Sequence, residues 1–141
     1  MVYLNFCLPE SLIDNGRGSS NEHWGYRMRD ALLTREDSNV ILTDWSGGAF
    51  ESYGQSTGNA RLVGAQIAEL IKFIIKRNGD SKDLANRFYL IGFSLGAQIT
   101  GYAGSRLRQE GMKLSRITGK IRKGVSLDRQ LVASVVIKPH M

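Results

Sequence analysis

One serine has neighbours that could make it reactive: Ser94, in the stretch Gly92-Phe93-Ser94-Leu95-Gly96. A Gly-x-Ser-x-Gly match is weak by itself, because a chain with 16 glycines and 13 serines produces one by chance with a probability of roughly one in six. Here an apolar run precedes the serine and a helical segment rich in small residues follows it. This setting is typical of a nucleophile elbow, in which glycines let the backbone turn tightly and lift the hydroxyl to the carboxyl end of a sheet. The alternative is a packing turn that contains a buried serine.

A serine nucleophile needs partners, and the sequence offers few. The Leu95 amide would lie at a helix N-terminus, where it could stabilise a developing oxyanion. A base is also required, usually a histidine oriented by a carboxylate. Of the two histidines, His23 lies at a predicted helix start, where a surface or capping role is expected, and His140 is the penultimate residue. Asp128 and His140 follow Ser94 in the chain order of a Ser-Asp-His triad, and this order alone supports them as substitutes for the triad acid and base.

The elements that must position Ser94 alternate between strands and helices. Apolar and β-branched runs predict strands at 2–8, 39–45, 87–92 and 113–118, and the helical period predicts helices from about residue 21 or 22, over 60–77 and from 94 to Gly111. Asn59 is a candidate N-cap for the second helix, Gly79 is its predicted stop, and its inward side chains are predicted to be Val63, Ile67, Leu70, Ile71 and Ile74. Such alternation predicts an α/β protein with a mostly parallel sheet and flanking helices.

Composition sets limits on the class of protein. A chain of 141 residues with 42% hydrophobic and 23% charged residues is typical of one globular domain. It lacks any run of about 18 apolar residues, so no transmembrane helix is predicted. The N-terminus lacks the pattern of a signal peptide. Cys7 is the only cysteine, which excludes an intrachain disulfide and a multi-cysteine metal site, and we predict no metal or other cofactor.

The net charge of +6 is unevenly distributed. Residues 120–141 carry five basic side chains and one acidic one, a net charge of +4, which leaves +2 for the first 119 residues. The chain shows neither a nucleic-acid-binding motif nor basic residues interleaved with aromatic ones, so nucleic acid is not a predicted partner.

Longer stretches of the sequence resemble the pancreatic lipase family. The segments that carry this resemblance are EDSNVILTDWSGGAFESYGQSTGNARLVGAQIAELI, FYLIGFSLGAQITGYAGSRL and KLSRITG, and the similarity covers about residues 10–119. It implies a partial α/β-hydrolase fold, a lipid ester such as a triacylglycerol or phospholipid as substrate, or a lipid interface as partner, no cofactor for the ester chemistry, and an extracellular location.

The resemblance also assigns roles to individual residues. Ser94 aligns with the nucleophile, and Leu95 and Leu12 align with the two oxyanion amides. Leu12 lies in ESLIDNG, which resembles a loop that begins His-Gly in the family, so Glu10 and Ser11 depart from the pattern. Phe93 stands where the elbow often has a histidine that is not the catalytic base.

A larger departure follows Gly119. The family continues with Leu-Asp-Pro, whose aspartate is the triad acid, whereas this chain has Lys120-Ile121-Arg122. We therefore expect a partial lipase domain at 1–119 and a divergent basic and apolar tail at 120–141. Because the triad Asp and His are missing from their expected places, we expect little activity from this chain. The alternatives are a non-catalytic lipid- or partner-binding protein and a truncated product without independent function.

Overall fold

The computed structural model describes residues 2–6, 24–49 and 52–120. Four strands alternate with helices along these ranges. In chain order the elements are β1 Val2–Phe6, α1 Trp24–Arg35, β2 Asn39–Thr43, α2 Ser46–Ala49, α3 Tyr53–Arg77, a 3-10 helix Lys82–Arg87, β3 Phe88–Phe93, α4 Leu95–Gln109 and β4 Arg116–Lys120.

The four strands form one parallel sheet in the order β2-β1-β3-β4. This arrangement confirms the prediction of an α/β protein with a parallel sheet. Since all strands run the same way, their carboxyl ends lie along one edge of the sheet. The register pairs Phe6 with both Thr43 and Gly92, and it pairs Phe93 with Lys120. The chain therefore reaches Ser94 at the middle of this edge.

The core lies between the sheet and the helices α3 and α4. Strand β3 shows the two-residue period of a pleated strand, since Phe88, Leu90 and Gly92 are buried and Tyr89 and Ile91 are half-buried. The fully buried large side chains come from both helices and from β3, namely Ile71, Leu90, Ile99, Leu107 and Thr100. Burying a side chain such as Ile71 or Ile99 contributes about 1.5–3 kcal/mol, so these residues hold the two helices on the sheet.

The start of α3 differs from the prediction. The helix begins at Tyr53, and its N-cap is Ser52, whose hydroxyl accepts a hydrogen bond from the Gln55 amide at 3.4 Å. Asn59 lies inside the helix, and its side-chain amide donates to the Gly48 carbonyl at 2.9 Å. The predicted cap at Asn59 is therefore wrong. The predicted stop is confirmed, because α3 ends at Arg77 and Gly79 follows with a φ of 103°.

The exposure of Leu70 also differs from the prediction. Ile67 and Ile71 are buried and Val63 and Ile74 are half-buried, as predicted, but the side chain of Leu70 is 38% exposed. Leu70 lies six residues after Gly64, which contacts α4, and six residues at 3.6 per turn place it about 120° from that contact, on the flank of α3. The helical period marks an apolar stripe, but it does not show where the neighbouring helix ends.

Candidate active site at the Ser94 turn

Ser94 connects β3 to α4 in an unusual backbone conformation. Its φ is 55° and its ψ is −120°, and its side chain is half-buried. A residue with a side chain rarely adopts a positive φ, and such a conformation costs on the order of 1–3 kcal/mol. The packing around the turn must therefore hold Ser94 in this position.

Gly92 shows how tightly the turn is packed. A Cβ atom on Gly92 would lie 2.2 Å from the carbonyl oxygen of Gly96 and 2.7 Å from the amide nitrogen of Ala97. Both are backbone atoms of the first turn of α4, so they cannot rotate away. Only glycine fits at this position. Such a requirement is typical of a nucleophile elbow, which is the kind of turn that the sequence predicted.

The N-terminus of α4 supplies amide groups next to Ser94. Leu95 is the first residue of the helix and is 7% exposed. The Ala97 amide donates to the Ser94 carbonyl at 3.0 Å, so the amides of Leu95 and Gly96 precede the first bonds of the helix. These two amides carry the positive end of the helix dipole, the environment that an oxyanion needs.

Hydrogen bonds align β4 with β3 beside the turn. Both the backbone amide and the hydroxyl of Ser115 donate to the Phe88 carbonyl, at 3.0 and 2.7 Å. Further along the two strands, the hydroxyls of Tyr89 and Thr118 are 2.7 Å apart. The resulting register leads the chain out of β4 directly after Lys120, which is opposite Phe93.

The register also shows which described residue comes before the position where the lipase family has its triad aspartate. The aligned position is residue 121, which follows directly in the sequence on Lys120, the partner of Phe93. The chain has isoleucine there. Ile121 itself lies outside the described residues, but the strand that leads to it is described in full.

Of the predicted site residues, the structure brings together Ser94 and Leu95. Leu12, Asp128 and His140 lie outside the described residues, as does His23, so their roles stay predictions. The last residue of β1, Phe6, is paired with Gly92, two residues before Ser94. Among the described residues no three His, Cys, Asp or Glu side chains form a group that could hold a metal ion.

A polar network that the sequence analysis missed follows β2 at the same edge of the sheet. The side-chain amide of Gln55 donates to the side-chain oxygen of Asn59 at 2.9 Å, and the side-chain amide of Asn59 donates in turn to the Gly48 carbonyl. The buried hydroxyl of Ser56 donates to the Ala49 carbonyl at 3.2 Å. These bonds attach α2 to the first turns of α3. Gln55 and Asn59 are among the residues that carry the family resemblance, and that was the available signal.

An open, mostly apolar groove of 440 Å³ lies between the end of β2 and α3. Its lining residues come from β2, from the segment after it and from α3, namely Thr43, Asp44, Trp45, Gly48, Val63, Gln66, Ile67 and Leu70. The groove is on the β2 side of the sheet, two strands away from β3. Within the described ranges no helix is long and apolar enough to cross a membrane.

Comparison with known proteins gives consistent matches. A family model described as Lipase matches residues 11–125. Inactive pancreatic lipase-related protein 1 of Mus musculus is 38% identical over 107 residues, which are 76% of this chain and 20% of that protein. Pancreatic triacylglycerol lipase of Mus musculus is also 38% identical over 107 residues, 76% of this chain and 21% of that protein. Lipoprotein lipase of Homo sapiens is 39% identical over 99 residues, 70% of this chain and 20% of that protein. The chain spans about a fifth of the length of these relatives.

Proposed function

Because the chain belongs to the lipase family, as the match over residues 11–125 shows, we propose that Ser94 is the nucleophile position of a site for hydrolysing carboxylic esters of lipids. The observation that supports this most directly is the Ser94 backbone, held at a φ of 55° between the carboxyl end of β3 and the N-terminus of α4. The substrate would be a triacylglycerol or a phospholipid. The family resemblance also supports an extracellular location.

In the proposed reaction the Ser94 hydroxyl attacks the ester carbonyl carbon, and a base accepts its proton. The carbonyl oxygen becomes an oxyanion, which the amides of Leu95 and Leu12 stabilise. The alcohol leaves with a proton as the carbon–oxygen bond breaks, and water then hydrolyses the acyl-serine. Of the groups in this proposal, Ser94 and the Leu95 amide lie among the described residues.

For the 141-residue chain by itself we propose negligible turnover. Ile121 occupies the position where an aspartate would orient the histidine, and chain order alone supports Asp128 and His140 as replacements. Without a working triad, the oxyanion hole and binding leave a rate of only about 10³–10⁴ over water.

Hydrolysis of a short-chain nitrophenyl ester tests both parts of the proposal. The chain and its Ser94→Ala variant should have the same rate in buffer, because no activated serine is present. Added imidazole can replace a missing base, so it should raise the rate of the chain above that of Ser94→Ala, whereas the Ser105→Ala control on α4 should behave like the parent chain.

Hydrolysis in buffer that Ser94→Ala abolishes would contradict the proposed lack of turnover. It would also identify a base within the chain, and Asp128→Asn and His140→Gln would then show whether those residues provide it. Equal rates of the parent chain and Ser94→Ala at every imidazole concentration would contradict the assignment of Ser94 as nucleophile.

A second candidate function is non-catalytic binding of lipid. The side chains of Leu62 and Phe73 on α3 are 60% and 56% exposed, and large apolar side chains at a surface favour contact with a partner or a lipid interface. Co-sedimentation with phospholipid vesicles, compared between the chain and Leu62→Lys/Phe73→Lys, tests this candidate. Binding that the double substitution leaves unchanged would exclude α3 as the lipid-binding surface.

A further inference from the structure

The outer side of β2 is an exposed sheet edge in the part of the chain that the structure describes. The strand order ends at β2, and β1 is its partner on the inner side. An edge strand presents a row of backbone amides and carbonyls that can pair with a further strand. The burial of β2 agrees with this, because Asn39 is exposed and the next four residues are half-buried.

Helix α3 adds an apolar surface along the same edge. Gly64 lies against α4, where its Cα hydrogen faces Tyr102 and the Ile99 carbonyl. By the helical period Leu62, Gln66 and Phe73 lie on the opposite side of the helix, and Leu70 lies on the flank next to them. Gln66 and Leu70 line the groove beside the end of β2, and Leu62 and Phe73 continue the exposed surface.

We propose that this β2 edge is the docking surface for residues 131–137 of the same chain, Leu-Val-Ala-Ser-Val-Val-Ile. These residues lie outside the described ones. Their composition, with three valines and one isoleucine in seven positions, suits pairing with an edge strand. Side chains on one face of such a segment would enter the groove between Thr43 and Leu70. This proposal does not rest on the assignment of Ser94 as the nucleophile.

The length of the intervening chain is compatible with this docking. Residues 121–130 lead from the end of β4 to the segment, and ten residues can span up to about 33 Å. The path from β4 to the outer side of β2 crosses four strand spacings, about 19 Å. Because β4 and β2 both end at the carboxyl edge of the sheet, the segment would reach β2 at Thr43 and run antiparallel to it.

Charge favours the β2 edge over the β4 edge at the other side of the sheet. In the antiparallel arrangement Lys138 comes to the start of β2, where Asp37 is exposed and follows Glu36. On β4 the same arrangement would bring Lys138 to the exposed Arg116 and towards Lys113. Opposite charges at the first edge attract the segment, and like charges at the second repel it.

Hydrogen exchange of the full 141-residue chain tests the docking. We expect slow exchange of the β2 amides that face away from β1. Val135→Pro removes an amide from the middle of the segment, so it should accelerate their exchange by roughly tenfold. Val125→Pro, the matched control between β4 and the segment, should leave the β2 exchange rates unchanged. Unchanged exchange of the α4 amides reports that each variant is folded.

A charge reversal gives an independent test that does not depend on proline. Lys138→Glu and Asp37→Lys should each accelerate exchange of the β2 amides, and the double variant should restore the slow exchange. Slow exchange in every variant would mean that something other than 131–137 covers β2, and protection that rises with protein concentration would identify a second copy. Either result overturns the proposal. So does fast exchange of the β2 amides in the single variants that the double variant does not slow again.

Discussion

Helices α3 and α4 cover the same face of the sheet but approach it differently. Helix α4 lies close to β3 and β4 at its first turn, because the strand residues that face this turn, Gly92 and Gly119, have no side chains. Helix α3 rests on isoleucines such as Ile67 and Ile71, and it leaves a groove of 440 Å³ beside β2. The close contact is the one that holds Ser94 in its strained conformation. Added atoms should therefore be costly under α4 and tolerated on the outer side of α3.

The largest expected effect is that of Gly92→Ala. The new methyl group would lie 2.2 Å from the Gly96 carbonyl oxygen and 2.5 Å from its carbon, so β3 and α4 would have to separate. We expect a loss of about 3 kcal/mol or more in the free energy of unfolding, measured by urea denaturation. Gly54→Ala is the matched control, because no atom lies within 4 Å of its added Cβ. Similar midpoints for the two variants would contradict the close contact at Ser94.

Gly64→Ala examines the contact between the two helices. Its Cβ would lie 2.7 Å from the Tyr102 Cβ and 2.9 Å from the Ile99 carbonyl oxygen, neither of which can rotate away. We expect destabilisation by about 1–3 kcal/mol in the same urea measurement.

Gly58→Ala, on the same helix, serves as the control for Gly64→Ala. Its added Cβ has no atom within 4 Å, and alanine favours a helix over glycine by about 0.5–1 kcal/mol, so this variant should be more stable than the parent. If Gly64→Ala were stabilising as well, the two helices would be less closely packed than described.

A smaller effect is expected for Gly104→Ala, although its nearest atom is at a short distance. The Cβ would lie 2.3 Å from Ile117 Cδ1, which is the end of a side chain that can turn away. We expect a cost below about 1 kcal/mol, because the helix propensity of alanine offsets part of the strain. Ile117→Val removes the contacting methyl group, so the double variant should show a favourable coupling between the two substitutions. Additive losses would mean that the backbone rather than Ile117 resists the added atom.

The same contrast explains which parts of the structure the sequence could predict. The strands were found because β-branched and apolar runs such as 39–43 and 88–93 identify themselves locally. The tight turn at Ser94 was predicted because glycine is required at Gly92. The start of α3 was missed because residues 53–58 read as turn formers, and their helix is held by distant bonds such as the one from Ser56 to Ala49. Leu70 was misplaced because a helical period does not locate the edge of the neighbouring layer.

The candidate site was predictable to the extent that it is local. Ser94 and Leu95 belong to one turn, so a short pattern contains the information for both. A base, an acid and a second oxyanion amide come from distant parts of a chain, and a single sequence shows their positions only through resemblance. Leu12, Asp128 and His140 therefore stay predictions, and so does the division of the chain at Gly119.

The smallest effect concerns the ion pairs that link α3 to α4 at the surface. Lys72 Nζ on α3 lies 3.0 Å from Oε1 of Glu110, the C-cap of α4, and Arg106 Nη2 on α4 lies 3.3 Å from Glu69 Oε1 on α3. Within α3, Lys72 Nζ lies 2.8 Å from Glu69 Oε1, and the hydrogen bond from Lys72 lowers the pKa of Glu69 below its usual 4.5. A lowered carboxyl pKa stabilises the fold above pH 4.5, and this contribution is lost as the pH falls through the folded-state pKa. The hydrogen bond with Glu69 raises the pKa of Lys72 above its usual 10.5, so that contribution is present below pH 10.5 and is lost as the pH rises through the folded-state value.

Thermal unfolding of Glu69→Gln should show a weaker loss of stability on acidification than the parent chain, and high salt should reduce the difference because the groups are exposed. Asp83→Asn on the 3-10 helix is the control for removing one acidic group, and an equal effect of both variants would assign the pH dependence to net charge instead of to the link between the helices.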